Sequence, residues 1–174
     1  VSSSDETHRK ILDSAFSCAE RAADFTMAEV ARQAGLSRQA VYLHFPDRAG
    51  LLAALLARAA NKPSAGIDAA PSARAALATL AGQLARTYPT AWPVVRAMGG
   101  DAGNNDLAAA CRALAERFRS EGALAPHLSP QAATDLLATL LSLAVWKELV
   151  IGRGWDCARY KSHISFLAAG AVTH

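Results

Sequence analysis

The chain has 174 residues, 52% of them hydrophobic and only 6% aromatic, with a net charge of +3 and a pI near 9.0. That length suits one compact unit or a small head on a larger body, and so apolar a composition excludes a chain disordered throughout. Alanine and leucine dominate and no run of alternating β-branched residues occurs, which excludes a mainly β fold and predicts an all-α protein. Charge gives less than it promises. Residues 1–60 carry seven Lys/Arg against seven Asp/Glu, so the positive excess lies wholly beyond them and gives no ground for nucleic-acid binding.

In chain order, Val1–Glu6 is polar and serine-rich and reads as a mobile leader, with Arg9 and Lys10 just after it within reach of a DNA backbone. From Thr7 to Ala23, the residues Ile11, Leu12, Ala15, Phe16, Ala19 and Ala23 predict an amphipathic helix. Thr26 is a good N-cap for a second helix, in which Met27, Val30, Ala31 and Ala34 form one apolar stripe. Gly35 should end it, because glycine alone enters the left-handed region without a side-chain penalty. Ser37 then caps a third helix. In it Ala40 and Val41 can face inward, while Arg38, Gln39 and Tyr42 share the opposite, polar face. A helix-turn-helix needs this arrangement: one side of the second helix packs, and the other offers side chains to base edges. Arginine suits guanine and glutamine suits adenine, while tyrosine and histidine reach phosphate oxygens. Locally, Arg32, Arg38 and Arg48 are opposed only by Asp47. A plain helical hairpin with a solvated face is the alternative.

Ser37-Arg38-Gln39-Ala40-Val41-Tyr42-Leu43-His44-Phe45-Pro46-Asp47-Arg48, followed by Leu51-Leu52, resembles the signature of TetR-family transcriptional regulators. Ile11-Leu12-Asp13-Ser14-Ala15-Phe16 resembles that family's first helix, so the likeness covers about residues 8–60. By resemblance, Arg38, Gln39 and Tyr42 meet DNA together with Ser37, while Thr26, His44 and Arg48 lie near phosphates. Two positions depart from the pattern. Leu43 is apolar where a polar residue is common, and Gly50 stands early in the next helix, where a loose start is expected. The resemblance implies an N-terminal three-helix head, taken as residues 1–50, and a helical ligand-binding and dimerisation body, taken as 51–174.

A fourth helix is expected from Arg48 to Asn61, and the segment from Lys62 to Gly66 breaks it. Ala73–Tyr88 reads as a helix ended by Pro89, with a short one opening at Thr90-Ala91-Trp92-Pro93. Gly99–Asn105 is a connector without the lysine or spacing of a phosphate-binding loop. Asp106–Glu121 is the next helix. Ser129-Pro130 starts a long one expected to reach Ile151, apolar almost all round between Leu136 and Trp146 yet too short to span a membrane. The last helix is capped by Asp156 and shows Tyr160, Ile164, Leu167, Ala168 and Ala171 at helical spacing. Two such helices from each of two copies could bury the apolar surplus in a four-helix interface, and the resemblance implies the same pairing. The interface residues are then Leu140, Leu143, Trp146, Tyr160, Ile164, Leu167 and Ala171.

Trp92, Met98, Phe118 and Trp146 are bulky residues on different predicted helices, and Arg96 and His127 stand near them in sequence as polar candidates for a small-molecule pocket. The alternative is that these large side chains are simply core. Cys18, Cys111 and Cys157 are scattered and read as reduced core or surface residues, and no His or Cys spacing suits a metal. No cofactor, membrane contact or signal-like leader is expected, so a cytoplasmic location is. The functional expectation is a sequence-specific DNA-binding regulator: a homodimeric repressor that leaves its operator when a small hydrophobic or aromatic effector binds. A helical adaptor, a constitutive DNA binder and an enzyme are the alternatives, although no catalytic set assembles from neighbouring motifs.

Overall fold

The computed structural model describes residues 3–59, 66–100 and 105–173. The chain is all-α with a helix-turn-helix head and a helical body, and it divides into two compact units: Val1–Ala60 with Thr90–Ala102, and Asn61–Pro89 with Gly103–His174. Helix α5 contributes to both.

The first unit is built from α1 (Ser3–Arg21), α2 (Met27–Ala34), α3 (Arg38–His44), α4 (Arg48–Ala59) and the last turns of α5. Its core is the apolar stripe expected of α1 and α2, joined by Phe25, Val41, Phe45, Leu51, Leu52 and Leu55, and by Val94 and Ala97 of α5. Helix α1 starts earlier than the sequence suggests. Ser3–Glu6 is helical and not a leader, with Asp5 and Glu6 placed where the helix dipole favours acidic groups. Helix α4 is capped in spite of Gly50, because Asp47 Oδ1 accepts the Gly50 N–H at 2.7 Å.

The second unit contains α5 up to Pro89, α6 (Asn105–Ser120), α7 (Pro130–Leu140), α8 (Leu143–Trp146), a π-type turn at Lys147–Gly152 and α9 (Cys157–Val172). Helix α7 packs against α6 and α9. Two expectations fail here, each for a tertiary reason. Helix α5 does not stop at Pro89 but runs from Ala73 to Ala97 through both Pro89 and Pro93. The two prolines stand four apart and so share one side. The buried residues Leu84, Tyr88, Ala91, Val94 and Val95 lie mainly on the other, and their burial offsets the missing hydrogen bonds.

The long helix expected from Pro130 to Ile151 is broken at Leu141-Ser142. Val145 N–H turns to Ser142 Oγ at 3.3 Å, and the buried Tyr88 hydroxyl donates to the Leu141 carbonyl at 2.5 Å. A hydroxyl from α5 thus takes the acceptor that a continuous helix would have used. The start of α5 is fixed by Glu121, whose carboxylate accepts the Ala73 N–H at 2.9 and 3.0 Å. Arg117 holds Glu121 at 3.0 Å and also donates to the carbonyls of Ile67 and Ala70. The connectors expected at 62–66 and 99–105 fall largely outside the described residues.

Candidate nucleic-acid interface

Helices α2 and α3 meet at Gly35, whose φ of 63° is left-handed. Nothing lies within 4 Å of where its Cβ would stand, so the backbone angle, and not space, calls for glycine. Gly35 N–H bonds to the Arg32 carbonyl and Leu36 N–H to that of Ala31, which satisfies the end of α2 inside the turn. The start of α2 carries a reciprocal cap: Glu29 N–H donates to Thr26 Oγ1 at 3.2 Å, and Thr26 N–H to Glu29 Oε2 at 2.7 Å. The Thr26 N–H and hydroxyl together hold the Glu29 carboxyl below the usual carboxylate range. Ser37 Oγ accepts the Ala40 N–H at 3.1 Å and opens α3.

Around α3, Val41 is fully buried, Ala40 and His44 are half-buried, and Arg38, Gln39, Tyr42 and Leu43 are exposed. At 100° per residue the four exposed positions fill one continuous arc, so the reading face expected from sequence extends to Leu43, which is 84% exposed. Phe45, just past the helix, is buried and fixes its end in the core. His44 turns partly inward: its ring stands 5.8 Å from that of His8, which in turn lies 4.8 Å from Phe45.

Arg48 is half-buried and engaged within the head. Its guanidinium donates to the carbonyls of Phe25 at 3.0 Å, Ala23 at 2.6 Å and Ala97 at 3.1 Å, with the Phe25 ring 4.8 Å away. Arg96 is likewise a head residue, donating to the carbonyls of Ala19 at 2.8 Å and Glu20 at 3.2 Å, at the end of α1. The two arginines tie the α1–α2 corner to the last turn of α5. They line an open depression of about 590 Å³ that also includes Asp24, Thr26, Met27 and Gly99. Sequence reading missed these roles, since their carbonyl partners are distant in the chain and carry no side-chain signature. It also missed the Glu29 half of the α2 cap, for which the Thr26–Glu29 spacing was signal enough.

The remaining candidates separate. Trp92, Arg96 and Met98 belong to the first unit, and Phe118, His127 and Trp146 to the second. Phe118 and Trp146 are buried, Trp92 is half-buried, and Met98 and His127 are exposed. Of the residues assigned to a dimer interface, Trp146, Tyr160 and Ile164 are buried inside their own unit and serve as core. Leu140, Leu143 and Ala171 are half-buried, and Leu167 is 50% exposed beside Phe166 at 74%. Cys18 and Cys111 are buried and Cys157 is exposed, all three as free thiols. No described helix is long and apolar enough to cross a membrane, and no three His, Cys, Asp or Glu side chains gather into a metal site among the described residues.

Residues 11–55 match the family described as bacterial regulatory proteins, tetR family. The whole chain is similar in structure to NalD, the secondary repressor of the MexAB-OprM multidrug efflux pump in Pseudomonas aeruginosa. The TM-score is 0.78 at 19% identity, over 99% of this chain and 98% of that one. It is similar to SmeT, the repressor of the Stenotrophomonas maltophilia multidrug efflux pump SmeDEF, with a TM-score of 0.71 at 20% identity over 96% and 90% of the two chains. A third similar structure is TylP, a tetR regulator from Streptomyces fradiae, at 0.65 and 16% identity over 99% and 89%. At these identities the likeness is one of fold. No curated protein matches the chain.

Proposed function

We propose that this chain, whose residues 11–55 match the tetR family of bacterial regulatory proteins, is a homodimeric repressor of that family whose heads are released from an operator by a small apolar effector. The observation that carries the DNA-binding half is the exposed arc of α3. Arg38, Gln39 and Tyr42 stand clear of a core that holds Val41 and Phe45, on a helix whose two ends are fixed by Ser37 and Phe45. Arg38 and Gln39 have the donor geometry for base edges, and Tyr42, with Ser37 and His44 at the helix ends, supplies phosphate contacts. Thr26 presents a capped, exposed helix start to the same backbone. Arg48 acts in this reading by holding the corner that positions α2, and not by touching phosphate.

Dimerisation is supported by exposed apolar side chains on α9, namely Phe166 and Leu167, with Leu140, Leu143 and Ala171 as half-buried companions. Two heads would then enter successive major grooves about 34 Å apart. The effector half draws on likeness: the similar structures include repressors of multidrug efflux pumps and a SmeT–triclosan complex. Selection of genomic fragments by the purified protein, followed by sedimentation of the protein alone and on the selected fragment, tests the reading. Expected are a palindromic site and two chains per site. A folded protein that selects no sequence would overturn it.

A further inference from the structure

Of the four side chains on the exposed arc of α3, Arg38, Gln39 and Tyr42 carry hydrogen-bonding groups and Leu43 carries none. Leu43 is 84% exposed, and no other large apolar side chain among the described residues is exposed so fully. A lone leucine at a surface ordinarily calls for no account, since much of any protein surface is apolar. Here its place is fixed from both sides. Val41 and Phe45, two residues before and two after it, are buried in the core of the first unit, and the Phe45 N–H closes the helix on the Val41 carbonyl at 2.9 Å. Turning α3 to bury Leu43 would expose those two, so the fold holds an apolar group out on an otherwise polar face.

Its neighbours on the helix say what it meets. At 100° per residue Arg38 and Tyr42 stand in one column of the arc and Gln39 and Leu43 in the next, the members of each pair about 6 Å apart along the axis. Leucine can bond neither to a phosphate oxygen nor to a polar base edge, and the apolar group that the major groove offers is the C5 methyl of thymine. Against cytosine the same side chain would cover an amino group and leave it unpaired, and against a purine it would cover the N7 acceptor. Discrimination therefore comes twice, from the methyl that is covered and from the polar edges that would be stranded.

We propose that Leu43 is a specificity-determining residue, which selects a thymine in the half-site by covering its C5 methyl, within about two base pairs of the base that Gln39 reads. Successive base pairs are about 3.4 Å apart, so a separation of about 6 Å along α3 spans fewer than two steps, whichever way the helix runs in the groove. This rests on the DNA-binding reading above and adds to it a base and the chemical group by which that base is known. Leu43→Ala is a clean probe, because it removes a side chain that stands in solvent and puts in a better helix former, so the variant should melt as the unaltered protein does.

Uracil differs from thymine only in lacking that methyl, which makes the test direct. On the genomic site selected by the purified protein, each thymine of one half-site is replaced in turn by uracil, and affinity is measured at fixed salt for the unaltered protein and for Leu43→Ala. At one thymine, within about two base pairs of the position where Gln39→Ala relaxes preference, uracil should weaken the unaltered protein about fourfold, the effect of one methyl group left in water. Leu43→Ala should bind the thymine duplex more weakly than the unaltered protein does and should bind the thymine and uracil duplexes alike. A fourfold loss that persists in Leu43→Ala would assign the effect to the duplex and overturn the proposal, as would a half-site in which no thymine within that distance responds. Because the site is selected first, the two readings fail separately: a selected site without the methyl effect removes only the role of Leu43, whereas a folded protein that selects no sequence removes the DNA-binding reading and this proposal with it.

Discussion

The corner of the head and the interior of the body differ in how far their buried polar groups are tied to distant backbone, although Arg96 Nε in the head is itself without a partner among the described residues. In the head, Arg48 and Arg96 reach carbonyls that lie 23 to 77 residues away in sequence and leave the α1–α2 corner cross-linked to the end of α5. In the body, Tyr88 is paired while Trp146 Nε1 and Tyr160 Oη have no partner among the described residues. The head must hold α3 to within a fraction of an ångström of a groove, and guanidinium forks suit that because they fix several backbone groups at once.

The sharpest way to break this comparison is at Arg48. Arg48→Met should cost roughly 2–4 kcal/mol in urea unfolding, since three carbonyls lose a charged donor together, and Arg48→Lys should recover only part because an ammonium cannot fork. A loss under half a kcal/mol would make the corner incidental. The reading face should behave in the reverse manner. Arg38→Ala and Gln39→Ala should leave the unfolding midpoint nearly unchanged yet each cost about 1–3 kcal/mol against the selected site, with relaxed preference at one base position, measured at fixed salt on matched and scrambled duplexes. Within the body, Tyr88→Phe should cost about 1–2 kcal/mol by stranding the Leu141 carbonyl, while Tyr160→Phe should cost nothing. Equal losses at the two tyrosines would erase the distinction.

The smallest expected effect is one of pH. Glu29 and Glu121 each accept the backbone N–H at a helix start, of Thr26 and Ala73 respectively, and each carboxyl is held below its ordinary pKa mainly by that bond. A depressed folded pKa means that the stabilisation is complete above the unfolded value and is lost as pH falls through the folded one. Thermal midpoints followed downward from neutral pH should therefore show an acid loss that is shallower in Glu29→Gln and in Glu121→Gln. Parallel curves for variant and parent would show that the caps do not titrate.

What was legible in the sequence is what local chemistry decides. Thr26, Gly35, Ser37 and Asp156 each act within a few residues, and the structure places caps or turns at all four. The apolar stripe of α2 and the exposed Arg38–Gln39–Tyr42 face follow from the same short range. The misses were decided at long range. Pro89 and Pro93 argue locally for a helix end, but buried neighbours along the rest of α5 outweigh them. The break at Leu141 depends on a tyrosine hydroxyl 53 residues earlier. The backbone partners of Arg48 lie 23 to 49 residues away and leave no local signal. Tyr160 and Ile164 shared an apolar spacing with Leu167, and spacing alone does not tell a core stripe from an interface.

The three thiols bear on how these measurements can be made. Cys18 and Cys111 are buried, and burial pushes the Cys111 thiol up to about 12, so it stays protonated and inert at neutral pH. Cys157, the first residue of α9, is exposed. A maleimide dye or spin label added to the folded chain should therefore attach at that one point without any cysteine being removed first. The reporter would sit at the first residue of α9. In a two-chain assembly, the distance between two such labels could be followed as operator is titrated.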